Sequence, residues 1–260
     1  MTKKKHKLSI KRSLKTSTIY SPNFNSIKRK PSNIKFIIFH YTGMKKQSEA
    51  LKKLTDMQSK VSSHYLIKNN GDIVKLVPDL YIAWHAGFSF WQNYKLLNKD
   101  SIGIEISNPG HEHGYKKFSE KQIKSILKLT KILLKKYKIK HQNILGHSDI
   151  APSRKRDPGE KFPWQYLSKQ KIGYWHNVDQ RILLINRTIK TNDFEKKLFF
   201  QNIFKIGYYK KVPKNINISK LEYLKKLTEA FQRRFRQDLI SGIVDKECLI
   251  ISKNLVKKLY

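Results

Sequence analysis

The sequence predicts an α/β protein: a mixed central β-sheet flanked by helices, followed by a small all-α helical bundle. Three observations carry this expectation. Runs such as IKFIIFH and SIGIEIS are β-branched or aromatic and read as buried strands. Segments with apolar residues at helical spacing lie between such runs, the pattern of a sheet with covering helices. Beyond about residue 175 only the helical spacing remains. A chain of 260 residues has room for one domain of roughly 150 to 200 residues and a smaller partner. The expected division is a basic flexible arm over 1–32, a first domain over 33–175, and a helical linker and second domain over 176–260.

Residues 1–32 are polar, lysine-rich and interrupted by Pro22 and Pro31, which marks an extended arm. From Ile34 to Phe39 the chain is continuously apolar, a strand covered on both faces with His40 at its end. SEALKKLTDMQ, residues 48–58, spaces Leu51, Leu54 and Met57 or Gln58 as a short amphipathic helix. In SSHYLIKNNGDIVKLVP the Asn70-Gly71 pair separates two alternating stretches, a strong hairpin signal. SIGIEIS, residues 101–107, sets Ile102, Ile104 and Ile106 on one side and Gly103, Glu105 and Ser107 on the other. Ser119 to Gln122 forms a capping box ahead of a long helix ending near Tyr137. NILG is a short strand leading to His147, and FPWQYL closes the first domain. Four helical stretches follow: DQRILLINRTI, DFEKKLFFQNIFKI, SKLEYLKKLTEAFQRRF and DKECLIISKNLVKKL.

Composition narrows the function classes. Hydrophobic residues at 39% and aromatics at 12% exclude a wholly disordered chain. Lys and Arg number 55 against 19 Asp and Glu, a formal net charge of +36, yet only nine of the basic residues are arginine. Lysines spread over every segment describe a generally cationic surface, not a dedicated nucleic-acid site, so no specific nucleic-acid partner is expected. The single cysteine, Cys248, excludes an intrachain disulfide and a thiolate metal site, and reads as a buried thiol. The basic N-terminus is followed by no apolar core of a secretory signal and no lipidatable cysteine, and no segment reaches the roughly 20 apolar residues of a membrane span. A cytoplasmic address is expected, with a periplasmic or secreted one as the alternative.

Two histidines stand out because each ends an apolar strand, where a sheet presents side chains to a crevice. His40 and His147, with Asp157 in the loop HSDIAPSRKRDPG, supply two imidazoles and a carboxylate. That three-ligand set leaves a zinc ion's fourth position open, which marks a catalytic site and not a structural one. Pro158 and Gly159 hold the carboxylate's loop in a fixed turn. Lys155 precedes Asp157 by two, and in extended chain both project to one side, where an ammonium stabilises a developing oxyanion. Glu105 is the one acid within an apolar strand; burial there would raise its pKa and suit it to take a proton from water. Position alone also allows Lys155 to be a solvated charge and Glu105 a structural partner for a lysine.

Taken together, HYTG (40–43), SSHYLI (62–67), WHAG (84–87), SIGIEISN (101–108), GHSDIAP (146–152) and RKRDPG (154–159) resemble the type 2 zinc-dependent N-acetylmuramoyl-L-alanine amidases. That family includes cell-wall recycling amidases, amidase-type phage lysozymes and peptidoglycan recognition proteins. The resemblance covers about residues 34–170. It implies a mixed-sheet amidase fold, one zinc at His40, His147 and Asp157, and Glu105 with Lys155 as the catalytic pair. It also implies cleavage of the amide between the lactyl group of N-acetylmuramic acid and the first L-alanine of the stem peptide, in peptidoglycan or muropeptide substrates. Trp84 and His85 fall where the family lines its substrate groove, with packing as the alternative role, and Asn108 closes a shared motif; all three are candidate substrate-binding residues. His64 matches a structural position. AFQRRF and GIVDKECL are similar to a small helical peptidoglycan-binding domain, with Phe231, Phe235 and Ile243 as its core. The competing expectation is a noncatalytic peptidoglycan-binding receptor.

Overall fold

The computed structural model describes residues 16–214 and 216–259. In chain order the strands are β1 (Thr16–Thr18), β2 (Phe24–Asn25), β3 (Phe36–Tyr41), β4 (Tyr65–Ile67), β5 (Ile73–Lys75), β6 (Ile82–Ala83), β7 (Phe90–Trp91), β8 (Tyr94–Lys95), β9 (Ser101–Ile106) and β10 (Ile144–Gly146). The helices are α1 (Gln47–Thr55), α2 (Glu120–Tyr137), α3 (His147–Ile150), α4 (Trp164–Lys169), α5 (Gln180–Asn186), α6 (Asp193–Ile206), α7 (Lys220–Phe235) and α8 (Lys246–Lys257). Six strands form one sheet in the order β1-β5-β4-β9-β3-β10. Only the hairpin pair β4 and β5 is antiparallel, so the sheet is mixed, as expected.

Side-chain alternation along the two central strands decides where packing ends and chemistry begins. Register pairs Ile37 with Ile102, Phe39 with Ile104 and Tyr41 with Ile106 on one face. Up to Tyr41, whose hydroxyl bonds His111, this face is apolar and packs against Ile126, Leu129 and Leu133 of α2 and against Phe162, Trp164 and Leu167. The other face pairs Phe36 with Ser101, Ile38 with Gly103 and His40 with Glu105. There Phe36 and Ile38 enter a second core with Leu145, Ile150 and the helices α5 to α8, whose Phe199, Phe231 and Phe235 are buried. A third small cluster, Leu54, Leu66, Val74 and Leu76, seats α1 over β4 and β5. Between α1 and the C-terminal helices this face is left open above His40 and Glu105.

The C-terminal helices therefore share a core with the sheet. Arg234 of α7 forms a buried ion pair with Asp149 of α3, donates to the Ile144 carbonyl, and lies over the Trp164 ring at 4.4 Å. Tyr208 donates to the other Asp149 oxygen at 2.8 Å.

Three expectations need correcting. Residues 1–15 of the expected flexible arm lie outside the described residues, but 16–32 are laid against the domain. β1 extends the sheet beside β5, and Arg29, 6% exposed, donates to the carbonyls of Asp79, Asn98 and Lys99. The lysine-rich composition hid these anchors because each one binds backbone, which has no sequence pattern. The first helix ends at Thr55, and Met57 is exposed because Asp56 caps a separate short turn by accepting from the Gln58 N–H. Ile243 is 67% exposed and not core; it follows Gly242, whose φ of +69° turns the chain so that Val244 points inward instead.

Candidate active site

β3 and β10 are parallel neighbours, so His40 near the end of one and His147 just past the end of the other emerge side by side. Asp157 returns through the loop after α3, where the Ser148 N–H donates to the Asp157 carbonyl at 2.8 Å. Gly146 and Gly159 make room for this return: a Cβ at Gly146 would lie 2.7 Å from Pro158, and one at Gly159 would lie 2.5 Å from the Tyr115 hydroxyl. The result is a buried triangle. His40 Nδ1 is 3.0 Å from His147 Nδ1 and 3.0 Å from Asp157 Oδ2, and His147 Nδ1 is 3.1 Å from the same oxygen.

The far side of each ring fixes which nitrogen faces the triangle. His147 Nε2 lies 3.1 Å from the Ala86 carbonyl, an acceptor only, so Nε2 carries the proton and Nδ1 a lone pair. For His40 the same conclusion comes through a chain. The Ser101 hydroxyl donates to the Leu97 carbonyl and therefore accepts from His85 Nε2 at 3.2 Å. His85 Nδ1 then accepts from His40 Nε2 at 3.1 Å, which leaves His40 Nδ1 bare. Burial lowers the His147 pKa to about 4 and that of His85 well below its ordinary value, so both are neutral at physiological pH.

Two imidazole lone pairs and a carboxylate converging within about 3 Å repel one another unless a cation lies among them. A tetrahedral ion with bonds of ~2.0–2.1 Å spaces its ligands by about 3.3 Å, close to the separations seen. The donor set therefore fits a metal ion, and it is a group able to hold one.

A cleft of about 320 Å³ opens over this triangle. Glu105 lies on its floor, opposite His40 in register, with one carboxylate oxygen buried and without a hydrogen-bond partner among the described residues. Burial pushes its pKa up to about 7, against the positive charge of Lys155. Lys155 and Lys53, the latter from α1, line the same cleft as Asp157. Trp84 is a wall residue, held by Nε1 donating to Asn25 and by its backbone pairing with Ser62.

Of the other two candidate substrate contacts, His85 also lines the cleft and Asn108 does not. His85 is 9% exposed and supports His40; its ring occupies the space over Gly103, where a Cβ would lie 2.4 Å away. Asn108 does not line the cleft. It is 2% exposed, and its amide joins the Lys116 carbonyl and the Gly110 N–H, which folds the loop after β9. His64 is structural, as expected: Nδ1 accepts from the Gly103 N–H and Nε2 donates to the Tyr81 carbonyl. Sequence reasoning missed Arg154, which clamps the Ala86 and Phe88 carbonyls and so ties the WHAG loop to the ligand loop. It also missed Tyr41 on the cleft wall. The hint for Arg154 was Gly87, whose φ of +55° exposes the carbonyls on either side of it.

A lone-pair triangle able to hold a metal and open to a cleft, beside an elevated carboxyl and a lysine, is the equipment of a hydrolase built on a mixed sheet. Residues 30–160 match the family described as N-acetylmuramoyl-L-alanine amidase. The chain is 35% identical over 237 residues to N-acetylmuramoyl-L-alanine amidase AmiD of Escherichia coli (strain K12), covering 86% of this chain and 83% of that one. It is 33% identical over 172 residues to 1,6-anhydro-N-acetylmuramyl-L-alanine amidase AmpD of Haemophilus influenzae, covering 59% and 91%. Among solved structures, E. coli AmiD in complex with anhydro-N-acetylmuramic acid-L-Ala-D-gamma-Glu-L-Lys superposes with a TM-score of 0.74 at 34% identity, over 90% of this chain and 92% of that one. AmpDh3 of Pseudomonas aeruginosa in complex with anhydromuramic pentapeptide gives 0.73 at 30% identity, over 90% and 95%. The chain belongs to the N-acetylmuramoyl-L-alanine amidase family and is an enzyme of that class. Among the described residues no helix is long and apolar enough to cross a membrane.

Proposed function

We propose that this cleft hydrolyses the amide between N-acetylmuramic acid and L-alanine with one zinc ion held by His40, His147 and Asp157. Anhydromuropeptides are the substrates named for its relatives and the first to try here. Bound there, zinc supplies the Lewis acidity that acidifies water and polarises the scissile carbonyl. Glu105 takes the proton from the attacking water and passes it to the departing amine of L-alanine, a double task suited to a carboxyl with a pKa near 7. The Lys155 ammonium faces the charge that develops on the carbonyl oxygen. Trp84 and α1 form walls that orient the sugar and peptide. Residues 176–260, through their resemblance to a peptidoglycan-binding domain, add a second contact to the wall in this proposal. Co-sedimentation with insoluble peptidoglycan, with excess soluble muropeptide filling the cleft, measures that contact.

The observation that carries the activity is Glu105, unpartnered on the cleft floor beside three converging donors. Free stem peptide released from an anhydromuropeptide is the measurement. Glu105→Gln should lose about 10²- to 10⁴-fold in kcat while keeping its metal. Full turnover by metal-loaded Glu105→Gln would overturn the assignment.

A further inference from the structure

One wall of the cleft has no part in the proton transfers above. Tyr41 follows His40 and lines the cleft near Asp157. Its hydroxyl lies 2.8 Å from His111 Nδ1, and His111 Nε2 lies 3.0 Å from a carboxylate oxygen of Glu160. The protons in this chain can be assigned. Hydrogen bonding to His111 holds the Glu160 carboxyl below its ordinary pKa although burial opposes it, so Glu160 accepts only. His111 Nε2 therefore donates to Glu160, and in the neutral imidazole Nδ1 is left with a lone pair that takes the proton of the Tyr41 hydroxyl.

The arrangement is built and not incidental. The His111 ring stacks on Tyr115 with centroids 4.4 Å apart, and Tyr115 donates to the Pro158 carbonyl at 2.7 Å, so the imidazole is fixed to the loop that carries Asp157. Gly110, with φ of +71°, admits the Tyr41 ring; a Cβ there would lie 2.6 Å from it. A free phenol offers a ligand either a proton or a lone pair. With its proton committed, this one offers only lone pairs to the cleft, and such an oxygen selects N–H groups over carbonyls.

We propose that Tyr41 contacts the substrate by accepting a hydrogen bond from a backbone N–H of the stem peptide beyond the scissile amide, with His111 and Glu160 as positioning residues that fix its polarity. This rests on the amidase activity proposed for the cleft. The test uses the metal-loaded full chain and a set of anhydromuropeptides, each with one stem-peptide N–H beyond the scissile amide replaced by an ester oxygen. One of these esters should show a KM about three- to tenfold above that of the parent, at similar kcat. Tyr41→Phe should raise the parent's KM to the ester's value and leave the ester unchanged. His111→Phe keeps a ring on Tyr115 but removes the acceptor, and should flatten the ratio in the same way. His111→Gln, able to accept from Tyr41 and donate to Glu160, should restore most of it. Equal effects of Tyr41→Phe on parent and every ester, with metal content and melting temperature unchanged, would overturn the proposal. If the wild-type chain cleaves none of these compounds, the amidase assignment fails instead. Calorimetric affinities for the same set then decide the Tyr41 contact, with the same ratio required.

Discussion

Replacing Gly103 by alanine tests whether the support behind His40 holds the metal site together. Gly103 lies in β9 on the face shared with Ser101 and Glu105, and the His85 ring covers it. A Cβ there would be 2.4 Å from His85 Cγ and 2.6 Å from both Cδ2 and Nδ1, against the ~3.5–4.0 Å of an unstrained carbon contact. About 1 Å of movement is needed. The backbone is poorly placed to supply it, because β9 is paired on both sides and the Gly103 N–H and carbonyl are both bonded to His64. The ring must move, which breaks its 3.1 Å bond to His40 Nε2 and its 3.2 Å bond to Ser101. His40 then loses the partner that keeps its Nδ1 unprotonated and aimed at the proposed metal position between His147 and Asp157. Loss of such a partner costs about 10- to 100-fold in metal affinity, or roughly 1.4–2.8 kcal/mol.

Zinc affinity measured by competition with a chromogenic chelator gives the answer for the wild type, Gly103→Ala, His85→Ala and the double variant. Gly103→Ala should weaken zinc by the amount above. In the His85→Ala background the same substitution should change affinity by less than about twofold, because the ring it displaces is gone. Wild-type affinity in Gly103→Ala, or full additivity in the double variant, would refute the reasoning.

Two further substitutions probe the scaffold. The Arg234 and Asp149 side chains are 3% and 1% exposed, so Arg234→Met strands a buried carboxylate and should cost about 3–5 kcal/mol in urea unfolding; a loss below about 1 kcal/mol would show that Tyr208 and the Gly146 N–H suffice for Asp149. Asp79 governs acid stability. Burial alone would raise its pKa, but hydrogen bonds from Lys136, Tyr137 and Tyr65 lower it to about 2. A depressed carboxyl stabilises the fold above its unfolded pKa, and that contribution disappears as pH falls through the folded value. Its pH-dependent part is about 2 kcal/mol. The gap in unfolding free energy between wild type and Asp79→Asn should therefore narrow by about that much from pH 6 to pH 2, and a gap that does not change with pH contradicts it.

The candidate ligands were legible in the sequence because a strand's end is. IKFIIFH and NILGH each run an apolar stretch into a histidine, and the alternation in SIGIEIS already separated Glu105 from its three isoleucines. The supports were hidden because they act across the fold. His85 serves His40 through a contact with Gly103, eighteen positions along the chain, and WHAG offers no sign that its histidine turns inward. Asn108 misled for the opposite reason: it stands beside the site in sequence but spends its amide on a loop.

What the apolar run in β3 could not say is what covers each face. One face of β3 carries Phe36, Ile38 and His40 in succession, and its cover changes along those three residues. The C-terminal helices lie over Phe36 and Ile38, and the cleft begins at His40. Arg234 of α7 and Tyr208, just past α6, reach Asp149, two residues past His147, so this region holds α3, which carries a proposed ligand. The sequence divides the chain at about residue 175, where helical periodicity takes over. The packing instead makes the later residues the back of the proposed metal site. Loosening them should therefore weaken zinc binding as well as stability, and the Arg234→Met variant examined with and without chelator measures both.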